Sequence, residues 1–311
     1  SFHQTRYALR ICSTEVRRCP SFRTKIANNN PPLNGQNLDL HMSKIHFANP
    51  PLIELITELR WNTPNSNTSP FSSAGIPSFA QPADSEESMM RFGGEVYSKG
   101  FQNIERLTPP NFPTFAGQVA IRFKRQDHAE KPVLYQVGPG IFTANATAPY
   151  KTWDDFSPIV RDGVEALLKT RSSSEHEEPF SSISVRYIDA FDDHFLGGQS
   201  SSEFISETLG FKISLPTALN EITETGKFPT PFLRLEIPIP GGMYMALTVG
   251  EGIVADKKSV ILDTTVITTS PTSAEIGAVM EKLLSARNVI HDVFIKISHK
   301  LSDKMKQEAA K

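Results

Sequence analysis

Cysteine is almost missing from this chain: of 311 residues only Cys12 and Cys19 carry thiols, and both lie in the first 41. Residues 42–311 can therefore form no disulfide, offer no thiolate nucleophile and supply no cysteine ligand to zinc. A cytoplasmic, reducing setting is the expectation that follows. Long apolar runs are missing as well. No stretch approaches the roughly 18 to 20 consecutive apolar residues that a membrane-spanning helix needs, and the first residues show no basic flank leading into an apolar stretch and a small-residue cleavage site. Neither membrane insertion nor secretion is expected. The signatures of common chemistries are absent too: there is no H-E-x-x-H, no G-x-S-x-G, no G-x-x-x-x-G-K and no dinucleotide fingerprint. Gly138-Pro139-Gly140 lacks the sequel of such a fingerprint and reads as a bend. No cofactor and no metal site is expected.

What is present divides at Met42. Residues 1–41 hold Arg6, Arg10, Arg17, Arg18, Arg23 and Lys25 against Glu15 and Asp39, a net charge of +4, while the remainder has 26 basic and 32 acidic residues, a net of −6. A basic arm for nucleic acid or an organellar presequence has this look. Against both stand the lack of a sustained helical period, the Asn28-Asn29-Asn30-Pro31-Pro32 run and the start-like Met42-Ser43-Lys44. Residues 1–41 are read as an unstructured leader or a mis-called start, with the folded part beginning near Met42.

From Leu52 to Trp61 the residues alternate, with Ile53, Leu55, Leu59 and Trp61 on one side and Glu54, Glu58 and Arg60 on the other, the pattern of a half-buried strand. Residues 62–84, rich in Asn, Ser, Thr and Pro, read as a loop. A helix is expected from Ser85 to about Tyr97 despite Gly93-Gly94, followed by a hairpin of Val119–Phe123 with Val133–Val137 and a short strand at Ile141–Thr143. At Thr152 the period becomes helical, with Trp153, Phe156, Val160, Val164 and Leu167 on one face; Thr152 and Asp155 have the spacing of a capping box.

A similar order follows: a strand at Ser182–Phe191, a helix over Ser202–Leu209, strands near Leu233–Pro238, Tyr244–Val249 and Val260–Thr268, and a long helix from Ser273. The expected fold is α+β, antiparallel sheets packed with helices, in two similar strand-helix-strands-helix halves at 42–175 and 176–311. In the last helix Ile276, Met280, Leu283, Ile290, Phe294, Ile297 and Leu301, widened by Val279 and Val293, form a stripe that must be buried, with Phe294 at its centre.

Several segments in fixed order resemble a sporadically distributed bacterial family of uncharacterised proteins with no assigned function: Phe47-Ala-Asn-Pro-Pro-Leu-Ile-Glu54-Leu-Ile-Thr-Glu58-Leu-Arg-Trp61, Gln136-Val-Gly138 with Asn145, Tyr150 and Trp153, Arg186-Tyr-Ile, and Ile290-His291-Asp-Val-Phe294. The resemblance spans residues 42–311. It implies no catalytic residue, and the accessory genes of bacterial mobile or defence loci are the association it carries.

Two sets of residues stand out chemically. Asp192-Asp193-His194 and His291 carry the side chains of a metal site or an acid/base pair; adjacent acids before Gly197-Gly198 also describe a turn, and a histidine beside an apolar stripe also describes a partly buried structural residue. Asn145, Tyr150 and Trp153 join an amide to two amphipathic rings before a helix start, which suits either a partner surface or a loop latch. Glu54 and Glu58 share a strand face about 13 Å apart, too far for a retaining carboxylate pair. The expected function is a non-catalytic binding or interaction protein for a protein or small-molecule partner; the competing one is a hydrolase or nuclease built on the Asp/His cluster. An acidic body makes nucleic acid an unsuitable partner. Deleting residues 1–41 should leave the melting temperature unchanged in calorimetry; a large drop would place part of the core in that segment.

Overall fold

The computed structural model describes residues 47–63, 83–109, 114–130, 132–149, 152–224 and 229–306. The start at Met42, residues 1–41, Tyr150 and most of the 62–84 segment lie outside them. Strand β1 (Leu52–Trp61) leads to helix α1 (Ala83–Tyr97), then to β2 (Asn103–Arg106), β3 (Ile121–Lys124), β4 (Val133–Gly138) and β5 (Ile141–Thr147), and to helix α2 (Trp153–Thr170). The second series runs β6 (Phe180–Phe191), short helical turns α3 (Asp193–Leu196) and α4 (Ser201–Glu203), a π-turn at Phe204–Thr208, α5 (Thr217–Ile222), then β7 (Leu233–Ile239), β8 (Met243–Val254), β9 (Lys257–Thr268) and α6 (Ile276–Ile297). A short 3₁₀ turn and α7 (Ser302–Lys306) close it.

The nine strands among the described residues form one antiparallel sheet in the order β2-β3-β4-β5-β1-β6-β9-β8-β7. The first strand of each series lies at the centre, β1 beside β6, and the last strand of each, β5 and β9, flanks its own first strand. The α+β class and the antiparallel sheet are as the sequence implies, and the two series take up matching places on either side of one β1–β6 seam.

Alternation decides which side chains meet the helices. On β1, Leu55, Thr57, Leu59 and Trp61 are buried, whereas Glu54, Ile56, Glu58 and Arg60 are half-buried on the opposite face. Helix α1 packs on β4 and on α2, α2 on β5 and α6, and α6 on β6 and β9. Two helix glycines permit close approach. A Cβ on Gly93 of α1 would stand 2.7 Å from the Phe123 ring, and one on Gly163 of α2 would stand 2.7 Å from Tyr135 and 2.8 Å from Phe142. The helix propensity lost at such glycines, about 1 kcal/mol each, is offset by contact with the aromatic layer of Phe92, Phe101, Phe123, Tyr135 and Phe142. In that layer Phe101 stacks on Tyr135 at 4.1 Å. At the start of α2, Thr152 accepts a hydrogen bond from the Asp155 N–H, and its own hydroxyl donates to the Asp155 carboxylate at 2.8 Å, so the cap forms with Asp in the place usually held by Glu.

Several elements differ from expectation. Strand β2 and helix α5 carry no strong apolar period, since their residues are mostly exposed, and the sequence gives no sign of them. Strand β5 continues to Thr147, β3 starts at Ile121, and α6 starts at Ile276. The helix expected at Ser202–Leu209 is three α-helical residues followed by the π-turn. In α6 the buried residues are Val279, Leu283, Ala286 and Ile290, while Phe294 is only half-buried and meets Phe47 edge-on at 6.3 Å. The apolar stripe is wider than the surface that covers it, and the covered line passes beside Phe294. Leu283→Ala should accordingly cost about 3 kcal/mol through transfer loss and cavity, and Phe294→Ala about 1 to 2 kcal/mol for a half-buried ring. Urea unfolding of the two variants checks this, and a costlier Phe294→Ala would contradict the placement.

Candidate binding face of the sheet

The side of the sheet opposite α1, α2 and α6 carries the residues whose neighbours on each strand are buried. Across its centre it presents Thr143 and Asn145 from β5, Glu54, Ile56 and Glu58 from β1, Ser184, Arg186 and Ile188 from β6, and Ile261, Asp263, Thr265 and Ile267 from β9. Most are half-buried. Register brings them together: Ile56 stands opposite both Asn145 and Arg186, Glu58 opposite Thr143 and Ser184, and Ile188 opposite Asp263.

A polar band crosses this face. Thr143 donates to the Asn145 side-chain oxygen at 2.8 Å, and the Asn145 amide donates to Glu54 Oε1 at 2.9 Å. Arg186 holds Asp263 with two parallel bonds, Nε to Oδ1 at 2.8 Å and Nη2 to Oδ2 at 2.5 Å. The bond to Asp263 raises the Arg186 pKa, and the charges of Asp263, Glu54 and Glu58 add to the effect. Bidentate pairing fixes the guanidinium plane as well as its charge. Farther along the same face Glu58 accepts from Arg60 at 2.5 Å, and Glu105 on β2 pairs with Arg122 and Lys124 on β3; the Glu105 pKa is lowered, first by the Lys124 hydrogen bond. The charges thus neutralise one another locally, and Ile56, Ile188, Ile261 and Ile267 lie between them.

The sequence-singled residues are distributed over three places. Asn145 is in this band, 7% exposed. Trp153 is buried on the helix side, its ring edge-on to Phe156 at 6.2 Å, which is the position of a core plug. Asp192 caps α3, accepting from the His194 N–H at 3.1 Å; Asp193 is in the first turn, and the His194 ring meets Phe195 edge-on. His291 is half-buried on α6. No group of three or more His, Cys, Asp or Glu side chains among the described residues is arranged to hold a metal ion.

Three buried charged residues, Arg171, Glu175 and Asp189, escaped sequence reasoning. Arg171, 5% exposed, lies over the faces of Trp61 and Phe180 at 5.0 and 5.1 Å and donates to the Glu178 carbonyl at 2.8 Å. Burial lowers its pKa, and Glu175 and Glu178 oppose that shift. The cavity beside it, bounded by Trp61, Met89, Phe92, Leu167 and Glu175, has a volume of about 20 Å³, room for a water and not for an organic ligand. Asp189 on β6 is 3% exposed. Burial, and secondarily the Asp263 charge, push its carboxyl up to about 8.

No protein-family model, curated protein or solved structure matches this chain.

Asp189 makes stability depend on pH. Its pKa is higher in the folded chain than the value of about 4 expected when unfolded, so its contribution is complete below pH 4 and is lost as pH rises through about 8. Asp189→Asn should therefore gain melting temperature relative to the parent chain between pH 6 and pH 9. Parallel melting curves for the two proteins across that range would contradict the assignment.

Proposed function

We propose that the chain is a non-catalytic interaction protein that holds another protein against the face of its sheet opposite α1, α2 and α6. One observation carries the reading: across β5, β1, β6 and β9 this face presents isoleucines set among mutually paired charges, held in place by hydrogen bonds between strands. Such a surface loses little side-chain entropy on binding because its polar groups are already fixed. Its apolar residues supply area while the paired charges supply register. A broad sheet face suits a macromolecule better than a small ligand, which takes a concave pocket. On this face Glu54, Glu58, Glu105 and Asp263 are matched by Arg60, Arg122, Lys124 and Arg186, so it carries no excess of positive charge, and with the acidic body this favours a protein over nucleic acid, whose phosphates need a basic surface.

The resemblance to the sporadically distributed bacterial family extends the proposal to an accessory protein of a mobile or defence locus, acting in the cytoplasm. No helix among the described residues is long and apolar enough to cross a membrane. The hydrolase or nuclease alternative draws no support from the positions of Asp192, Asp193 and His194 in a helix cap.

The test is capture from a native lysate by the full chain, repeated with Thr265→Arg on that face and with Met90→Arg, an exposed position on α1. Thr265→Arg should reduce recovery of the specific partner at least tenfold, and Met90→Arg should leave it unchanged. The reverse pattern, or salt-sensitive submicromolar binding of duplex DNA by the parent chain, would contradict the proposal.

A further inference from the structure

The two series of elements are unequal in one respect. Between β1 and β2 the chain builds the 15-residue helix α1, which packs on the sheet; between β6 and β7 the described residues form α-helices of only four, three and six residues and a five-residue π-turn. The consequence appears on β7, the last strand of the sheet among the described residues. Its helix-side residues Leu235 and Ile237 are 38% and 42% exposed, and the adjoining Phe232 is 68% exposed. On β8, one strand inward, Met245, Leu247 and Val249 are buried.

Register shows which backbone groups β7 leaves open. Strands β8 and β9 are joined by the two-residue turn Ala255-Asp256, both with positive φ (48° and 63°), between the paired Val254 and Lys257. A two-residue hairpin of this type closes on a hydrogen-bonded pair, so Val254 and every second residue back to Tyr244 direct their backbone groups at β9. The alternate residues Met243, Met245, Leu247 and Val249 direct theirs at Ile239, Ile237, Leu235 and Leu233 of β7. Arg234, Glu236 and Pro238 therefore turn their backbone groups outward. Pro238 agrees independently, since it has no N–H to give an inner ladder and belongs on an open edge.

An outward row of N–H and C=O groups is a template for another strand, and this one complements itself. We infer that β7 pairs antiparallel with β7 of a second copy of this chain, about a twofold axis at Leu235 perpendicular to the sheet. In that register Arg234 faces Glu236 of the second copy and Glu236 faces its Arg234, and both pairs exchange backbone hydrogen bonds. Leu235 meets its own counterpart, Leu233 meets Ile237, and Pro238 falls beyond the bonded pairs, opposite Phe232. The neighbouring registers are worse. Centring on Glu236 sets two carboxylates opposite each other and brings Pro238 against Arg234, and centring on Arg234 sets two guanidiniums opposite each other; like charges directly opposite are destabilising. Within one chain Arg234 and Glu236 pair along the strand at 3.3 Å with both side chains about two-thirds exposed, so exchange to a cross-chain pair costs little. Helices α1, α2 and α6 of both copies lie on the same side of the continuous sheet, and the opposite faces join into one surface.

Sedimentation velocity of the full chain over a concentration series tests this. A species of twice the 34.5 kDa chain mass is expected. Arg234→Glu should raise the dimer dissociation constant at least tenfold, as should Leu235→Lys, which places two ammonium groups at the axis. The double change Arg234→Glu with Glu236→Arg, which restores opposite charges across the seam, should recover the dimer. A chain monomeric at every concentration overturns the inference and leaves the edge to an extended segment of another protein. A dimer that Arg234→Glu and Leu235→Lys do not weaken overturns it as well, because the contact then lies elsewhere, and failure of the double change to restore pairing overturns the register.

Discussion

The antiparallel pairing of β1 with β6 is the contact on which everything else depends. It joins the two series of elements, and it continues from Leu52 to Trp61 with irregularities only at its ends. Each strand directs alternate residues to opposite faces, so one pairing sets two surfaces. On the helix side it aligns Leu55, Thr57 and Leu59 with Tyr187, Val185 and Ile183, the floor on which α2 and α6 rest. On the other side it aligns Ile56 with Arg186, between Glu54 and Glu58. A slip of one residue would exchange the two sets, burying glutamates and exposing leucines, so the register is strongly specified.

Much of the fold was legible because it obeys simple periods. The alternation of Leu55, Leu59 and Trp61 against Glu54, Glu58 and Arg60 identified β1 and its buried face, and the helical spacing of Phe156, Val160, Val164 and Leu167 identified α2. Elements that bury little were illegible for the same reason. Asn103–Arg106 shows one half-buried residue among exposed ones, and β2 exists by pairing with β3 rather than by its own pattern. Phe294 exposed the limit of a stripe: periodicity says which residues share a face, and the opposing surface decides how much of that face is covered.

The polar band was less legible because its partners are distant in sequence. Asn145 and Glu54 are 91 residues apart, and Arg186 and Asp263 are 77 apart. Asn145 was singled out with Trp153 as a local unit, and the structure puts the two on opposite sides of the sheet. Nothing in the sequence around Asp189 marks it as buried, since an aspartate between Ile188 and Ala190 in a strand fits a solvated face equally well. Arg171 likewise declares itself only when Trp61 and Phe180 close on its guanidinium. Desolvation depends on what covers a residue, and cover is a tertiary property.

If the β1–β6 seam unites the two halves, the sheet should open as one cooperative unit, and native-state hydrogen exchange measures this directly. Amides of β1 and β6 should exchange with the same free energy as those of β4 and β8, the value for global unfolding. Seam amides that open at lower free energy, with the two halves exchanging at separate values, would show two independent sheets in contact and would contradict the account.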